Sequence, residues 1–263
     1  MMTSKYNFAI FIISHGRPQN IKTMASLVKF GYTGKFYIVV DDLDDAKEQY
    51  VDLYGDKVKI FDKRAIGKTF DEGDNFPSMK STTYARNACF DIAKNLGVEY
   101  FLVLDDDYVW FKAKFDREFK WKGHCKIKSL DIVIEKFLDF YHSCPQILSI
   151  AMAQEGEFPG GPGCWWGQAI RTKRKAMNSF FCSTNRRFDF FSKLNEDVNT
   201  YVNLGMRGHI FLTIGQVTLT QAATQSASGG MTETYLYNGT YVKSFYTLMY
   251  QPSSIEIRKM GIT

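Results

Sequence analysis

Three apolar runs of strand length, each ending in polar or acidic residues, constrain this chain more than any other feature: "YNFAIFIIS" (6–14), "KFYIVVDD" (35–42) and "EYFLVLDDD" (99–107). A strand with one face in water alternates apolar and polar residues, whereas one covered on both faces is apolar throughout. The shorter "VKIFDK" (58–63) reads the same way. After Pro18, Ile21, Met24, Leu27 and Val28 recur at helical spacing until the glycines of "FGYTGK". "TYARNACFDIAKNLG" (83–97) carries Ala85, Cys89, Ile92, Ala93 and Leu96 on one face and stops at Gly97. Strands alternating with helices at these distances predict an α/β layer architecture with parallel strands. Open sheets of that kind bind ligands at the carboxyl ends of their strands. "SHGRP", "DD" and "DDD" all fall there.

The second half is less regular. Residues 111–128 alternate aromatic and basic side chains and predict a hairpin. A helix follows through Leu130, Val133, Ile134, Phe137, Leu138 and Tyr141, then a strand "ILSIAMA" (147–153). "GEFPGGPGCWWGQ" (156–168) reads as a loop, "AMNSFFCST" as a strand, "NEDVNTYVNLG" as a short helix and "HIFLTIGQVTLT" as a further strand. No repeat or linker divides the 263 residues, so one domain with an elaborated second half is expected.

Composition narrows the class. With 45% hydrophobic and 16% aromatic residues the chain can bury a real core and is too apolar for disorder. Five scattered cysteines, with no CxxC pair, argue for reduced thiols and against a zinc site or disulfide frame. No run approaches the roughly 18 apolar residues of a membrane span, and a soluble, cytoplasmic protein is expected. The net charge of +5 suits a polyanionic partner as well as an ordinary soluble surface.

Asp105, Asp106 and Asp107 are the strongest chemical signal. Adjacent carboxylates resist one another's ionisation, and a hard cation such as Mg²⁺ or Mn²⁺ takes one or two of them together with substrate phosphates. A solvated turn with one capping acid is the simpler alternative. Asp41 and Asp42 repeat the arrangement at another strand end, where an acid can accept from a ribose hydroxyl or a base N–H; "DDLDD" also reads as a solvated face. Ser14, His15 and Arg17 sit on a tight loop in which Gly16 permits a positive φ, and Arg17 has the fork that grips phosphate. Arg86 and Asn87 open a helix, where the dipole disfavours a cation, so Arg86 calls for an anion: a ligand phosphate or one of the aspartates. In "NED" (195–197), Asn195 suits an N-cap, and Glu196 and Asp197 suit the positive helix end or a general base. Stretch 111–128 holds seven Lys/Arg against two acids, with Phe111, Phe115, Phe119 and Trp121 interleaved. It reads as an amphipathic hairpin or as a nucleic-acid surface.

In order, "FIISHGRP", "YIVVDD", "YARNACFDIAKNLG", "YFLVLDDDY" and "LNEDVNTY" resemble the GT-A glycosyltransferases, and within them the phage and bacterial TET/JBP-associated family, whose acceptors are hydroxymethylated DNA bases. The likeness runs from about residue 7 to the C-terminus and includes "MNSFFCSTNRRFDF" and "GGMTETYLYNGTYVKSFYTLMYQPS". It implies a GT-A type, Rossmann-like, mostly parallel sheet flanked by helices, with residues 1–110 binding the nucleotide-sugar and 111–263 the acceptor. Ser14, His15, Arg17, Asp41, Asp42, Arg86 and Asn87 would bind the nucleotide and diphosphate. Asp105 would face ribose or sugar, Asp107 would be the first choice as ligand of Mn²⁺ or Mg²⁺ with Asp105 the second, and Asp106 would be a further contact. Asp197, with Glu196 as fallback, would be the base of an inverting transfer from a UDP-sugar or similar donor, and His209 echoes a later metal-binding histidine. Trp165 and Trp166 are candidates for contacting a flipped base. A GT-A enzyme with a carbohydrate, protein or small-molecule acceptor shares every donor residue, and an inactive nucleic-acid-binding relative would keep the scaffold alone.

Overall fold

The computed structural model describes residues 5–116, 118, 120–155, 179–222 and 242–256. Four strands, β1 (Phe8–Ile13), β2 (Lys35–Asp41), β3 (Val58–Phe61) and β4 (Tyr100–Asp105), lie parallel in the order β3-β2-β1-β4. Every residue of β1 is buried. Successive side chains point to opposite faces of a sheet, so a continuous apolar run feeds two cores. Ile10, Ile12, Ile38, Val40, Leu102 and Leu104 pack on one face with Leu27 of α1 (Lys22–Lys29), Tyr50 of α2 (Lys47–Tyr54) and the apolar stripe of α5 (Leu130–Ser143). Ala9, Phe11, Val39, Phe101 and Val103 pack on the other face, against Tyr84, Ala88, Cys89 and Ala93 of α4 (Thr83–Asn95). A short α3 (Lys63–Gly67) follows β3.

The second half extends the same sheet. β8 (Phe180–Ser183) runs antiparallel between β4 and β7 (Ile147–Gln154), and β9 (Ile210–Gln221) lies parallel to β7. β5 (Tyr108–Phe115) and β6 (Trp121–Lys126) close the far edge, giving β3-β2-β1-β4-β8-β7-β9-β5-β6. Following the pairings across, β8 and β5 alone run against the other strands, so the sheet is mostly parallel, as expected. α6 (Glu196–Met206) leads into β9, and α7 (Val242–Tyr250) packs on α6. Among the described residues no helix is long and apolar enough to cross a membrane.

Several expectations need correcting. Helix α2 has no apolar stripe, because only Tyr50 is buried while Val51 and Leu53 face water, and periodicity did not disclose it. Val28, expected on the buried face of α1, is 69% exposed. In the hairpin Phe111 is fully buried and belongs to the core, Phe115 and Trp121 are half-buried and pack edge-on at 5.4 Å, and Phe119 lies outside the described residues. The described cysteines, Cys89, Cys125, Cys144 and Cys182, are free thiols, in line with the sequence. The loop at 156–168 with Trp165 and Trp166, and the basic "RTKRK" (171–175), lie outside the described residues.

The register aligns the functional edge. Ile13 pairs with both Val39 and Asp105, so the loop after β1 and the acids after β2 and β4 emerge side by side. α1 steadies the last of these. Thr23 Oγ1 donates to the Asp105 carbonyl at 2.6 Å and accepts from the Tyr108 amide at 2.9 Å, and Ser26 Oγ donates to the Tyr108 carbonyl at 2.9 Å. The end of α1 is anchored in turn: the Leu130 amide donates to the Phe30 carbonyl at 2.7 Å. Gly31 has φ +74°, and a Cβ there would meet the Lys128 carbonyl oxygen at 2.9 Å. Gly31→Ala combines a disfavoured φ with a backbone clash, and chemical denaturation is expected to show a loss of at least about 1 kcal/mol.

Candidate active site

Arg86 lies at the centre. It is fully buried, with Nη1 on Glu196 Oε1 and Nη2 3.3 Å from Asp105 Oδ1. Phe180 and Phe190 present their rings to its guanidinium at 5.3 and 5.8 Å. Burial alone would lower its pKa, but Glu196, Asp105 and Asp197 outweigh that and hold it above its ordinary value. The anion required by a cation in the first turn of a helix is therefore supplied by the chain. Thr82 Oγ1 donates to Glu196 at 2.6 Å, tying α4 to α6 a second time. Asn87, expected against the nucleotide, is instead buried. It donates to the Phe190 carbonyl at 2.7 Å and accepts from the Phe190 amide at 2.8 Å, so both ends of its amide hold the backbone.

The three aspartates part ways. Asp106 turns inward, accepting from Ser14 Oγ at 2.6 Å and pairing with Arg17 Nη2 at 2.9 Å. Tyr50 completes this knot, 2.8 Å from Ser14 Oγ and accepting from the Arg17 amide at 2.9 Å. Burial pushes the Asp106 carboxyl up, while Arg17 and Ser14 pull it down. Asp105 and Asp107 turn towards Gln221, whose Nε2 is 3.3 Å from Asp105 Oδ2 and 3.1 Å from Asp107 Oδ1. Burial, opposed by Arg86 but reinforced by Asp107, Asp106 and Glu196, pushes Asp105 up to about 7. Two converging carboxylates short of positive charge are an oxygen-donor set suited to a hard cation, whose shell a diphosphate can complete. Among the described residues no group of three or more His, Cys, Asp or Glu is placed to hold a metal ion.

The loop after β1 is clamped by acids that the sequence offered as a solvated face. Gly16, at φ +69°, donates its amide to Asp44 Oδ2 at 2.7 Å. Asp41 and Asp44 are buried while Leu43 between them is 38% exposed, the reverse of a solvated acidic run. His15 Nδ1 lies 2.9 Å from Asp41 Oδ2 and 3.4 Å from Asp44 Oδ2, and Lys63 Nζ lies 3.2 Å from Asp41 Oδ2. Asp41 Oδ1 is buried with no hydrogen-bond partner among the described residues. Asp42 accepts from the Lys63 amide at 2.8 Å and so fixes the start of α3.

Segment 192–197 brings the last acids in. Ser192 and Asn195 are the non-glycine residues with positive φ among those described, at 74° and 58°, a conformation disfavoured for side-chain-bearing residues. Asn195 makes no side-chain cap. Its Nδ2 donates instead to Thr247 Oγ1 of α7 at 2.7 Å. Asp197 is buried, with Oδ1 accepting from the Val198 amide at 2.8 Å. His209 stands at the start of β9, the full length of that strand from Gln221, and is not brought to this edge. Tyr50, Thr23 and Gln221 went unremarked in the sequence, and Asp44 figured there only as part of the solvated acidic run "DDLDD". Asp44 alone left a trace, as an acid two residues before a backbone amide it accepts from, Ala46 N at 2.8 Å.

The model of the TET-associated glycosyltransferases matches residues 8–230. No curated protein matches. Among solved structures, the Pyrobaculum calidifontis mannosyltransferase PcManGT in complex with GDP-Man and Mn²⁺ is 11% identical over 96% of this chain and 76% of its own, with a TM-score of 0.51. Glucosyl-3-phosphoglycerate synthase of Mycobacterium tuberculosis, in complex with Mn²⁺, UDP and phosphoglyceric acid, is 7% identical over 94% and 78%, with a TM-score of 0.51. Staphylococcus aureus TarS 1–349 is 13% identical over 92% of this chain, at a TM-score of 0.46, and the chain spans 65% of its length. At such identities the likeness is one of fold, the GT-A fold.

Replacing Arg86 by Met leaves Glu196, Asp105 and Asp197 together without their cation, and equilibrium unfolding is expected to show a loss of about 3–5 kcal/mol. The His15–Asp41 pair makes a pH prediction. The Asp41 hydrogen bond raises the His15 pKa above its ordinary 6.5. The stability this adds is complete below 6.5 and is lost as pH climbs through the raised value. NMR titration should place the His15 midpoint above 6.5 and bring it down in Asp41→Asn.

Proposed function

The chain belongs to the TET-associated glycosyltransferase family, and on that premise we propose that it moves a sugar from a nucleoside-diphosphate sugar, a UDP-sugar first among them, to the hydroxyl of a hydroxymethylated pyrimidine in DNA. The observation that carries the donor half is the convergence of Asp105 and Asp107 at the strand edge that also holds the loop after β1. Residues 1–110 serve the nucleotide side of a single domain and 111–263 the acceptor side.

Asp105 and Asp107 would hold Mn²⁺ or Mg²⁺, which would supply positive charge to stabilise the departing diphosphate. Asp41 Oδ1, a buried acceptor without a partner among the described residues, receives an N–H or O–H of the nucleoside. His15 and Lys63 keep that carboxylate ionised. Burial pushes Asp41 up, but His15 and Lys63 together hold it below its ordinary value. Arg17, held in place by Asp106, lines the same loop. Arg86 is enclosed by carboxylates. It acts by orienting Asp105 and Glu196. Glu196 is held by Arg86 and Thr82 and serves to position the start of α6, and Asp197, the next residue, is the carboxylate assigned to take the proton from the acceptor hydroxyl while it attacks the anomeric carbon. One displacement of this kind inverts that carbon.

The DNA acceptor is supported by the family and by the basic β5–β6 edge. A base inside a duplex has to be flipped out or met unpaired. Such an enzyme works in the cytoplasm, where that DNA is.

The purified protein with sugar-nucleotides, Mn²⁺ or Mg²⁺ and hydroxymethylated DNA is expected to yield glycosylated nucleosides by mass spectrometry. Transfer to glycans or small acceptors with none to modified DNA would leave a glycosyltransferase of another acceptor class. In Asp197→Asn, turnover should fall about 10²- to 10⁴-fold, with binding of UDP and Mn²⁺ by calorimetry unchanged.

A further inference from the structure

Resting on the reading that Asp105 and Asp107 hold a divalent cation, we infer that Gln221 is a third protein ligand of that ion, offering its amide oxygen after its side chain turns over together with that of Gln154. One nitrogen, Gln221 Nε2, stands 3.3 Å from Asp105 Oδ2 and 3.1 Å from Asp107 Oδ1. A neutral amide NH₂ whose hydrogens are partly positive, shared between two carboxylates, occupies the place a cation would take. The backbone holds the residue there, because the next amide, Ala222 N, donates to the Asp107 carbonyl at 2.9 Å.

An arriving cation would face the partly positive NH₂ of Gln221. Half a turn about the last side-chain bond exchanges nitrogen and oxygen almost in place and presents an oxygen, a ligand that hard cations accept. The exchange needs a compensating partner on the far side of the amide. Gln221 Oε1 now accepts from Gln154 Nε2 at 3.0 Å. Once both amides have turned, Gln221 Nε2 donates to Gln154 Oε1, and the amide–amide hydrogen bond is kept with its direction reversed. The two glutamines are the last residues of β9 and β7, which pair in parallel, so the couple is built on rigid elements.

A second observation points into the same place. Tyr108 stands opposite Gln221 in the β5–β9 ladder, is fully buried, and has a hydroxyl with no hydrogen-bond partner among the described residues. A buried donor left open beside two carboxylates suits water in the shell of an ion. An amide ligand also fits a site where, among the described residues, acids, histidines and cysteines alone do not reach three.

The test titrates Mn²⁺ into the full chain, alone and with UDP, and follows free Mn²⁺ by electron paramagnetic resonance. Gln221→Leu keeps the bulk and removes the oxygen, and should weaken the Mn²⁺ dissociation constant by about tenfold or more. Gln221→Glu restores an oxygen and should bind at least as tightly as the wild type. Affinity in Gln221→Leu within about twofold of the wild type, or tighter, would mean that the amide only fills the site, and would overturn the inference while leaving the cation reading intact. Weaker binding by Gln221→Glu than by the wild type overturns it equally, and decides the matter should Gln221→Leu lose its fold by circular dichroism. A wild type that takes up no Mn²⁺ in either arm removes the cation reading and this inference together.

Discussion

The buried guanidinium of Arg86 is the constraint on which the rest of the site depends. It joins α4 and β4, which follow one another in the chain, to the start of α6, 110 positions beyond Arg86, through Asp105 and Glu196. A buried ion pair adds little net stability, since desolvation offsets most of its attraction, but it is costly to break on one side only. Its value here is geometric. Glu196 is fixed through its contacts with Arg86 and Thr82, and Asp197, the next residue of α6, lies within reach of the same charge.

The strained turn before α6 belongs to the same arrangement. Asn195 adopts a positive φ and spends its side chain on Thr247 of α7 rather than on capping. A cap from Asn195 to its own helix would have freed that turn from α7. Lys193, two residues earlier, reaches Glu72 and Asp74 at 3.0 Å each, and Tyr246 of α7 donates to Asp74 at 2.5 Å. The segment that carries the acids of α6 is thus held from α4, α7 and the loop before α4 at once. Preorganisation of that kind is what a group that must meet a reacting atom requires.

Three consecutive aspartates looked like an accumulation of like charge and are a division of labour. Asp106 belongs to the protein, closing the knot of Ser14, Arg17 and Tyr50, while Asp105 and Asp107 face Gln221. The loop after β1 follows a similar economy, with Asp44 gripping the backbone of Gly16 and Asp41 keeping one oxygen open.

Continuous apolar runs can be satisfied only by strands covered on both faces, and for that physical reason β1 to β4, helices α4 and α5, and the edge where function sits were legible in the sequence alone. The acids at that edge were legible too, since a buried strand that ends in carboxylates must present them somewhere. Which carboxylate faces inward was not legible. Alternation separates Asp106 from its neighbours, but only the position of Arg17 and Tyr50 decides that Asp106 is the one consumed. Asn87 and Arg86 look equally ligand-ready in "ARN", and contacts from residues about a hundred positions later, Phe190 and Glu196, commit both to the fold. Gln221 carries no motif, and His209, which resembles a metal ligand in the sequence, ends at the other end of β9. Local pattern determined the elements and the kinds of chemistry available. Long-range packing, which places residues distant in sequence within 3 Å or so of one another, decided which side chains are left to perform it.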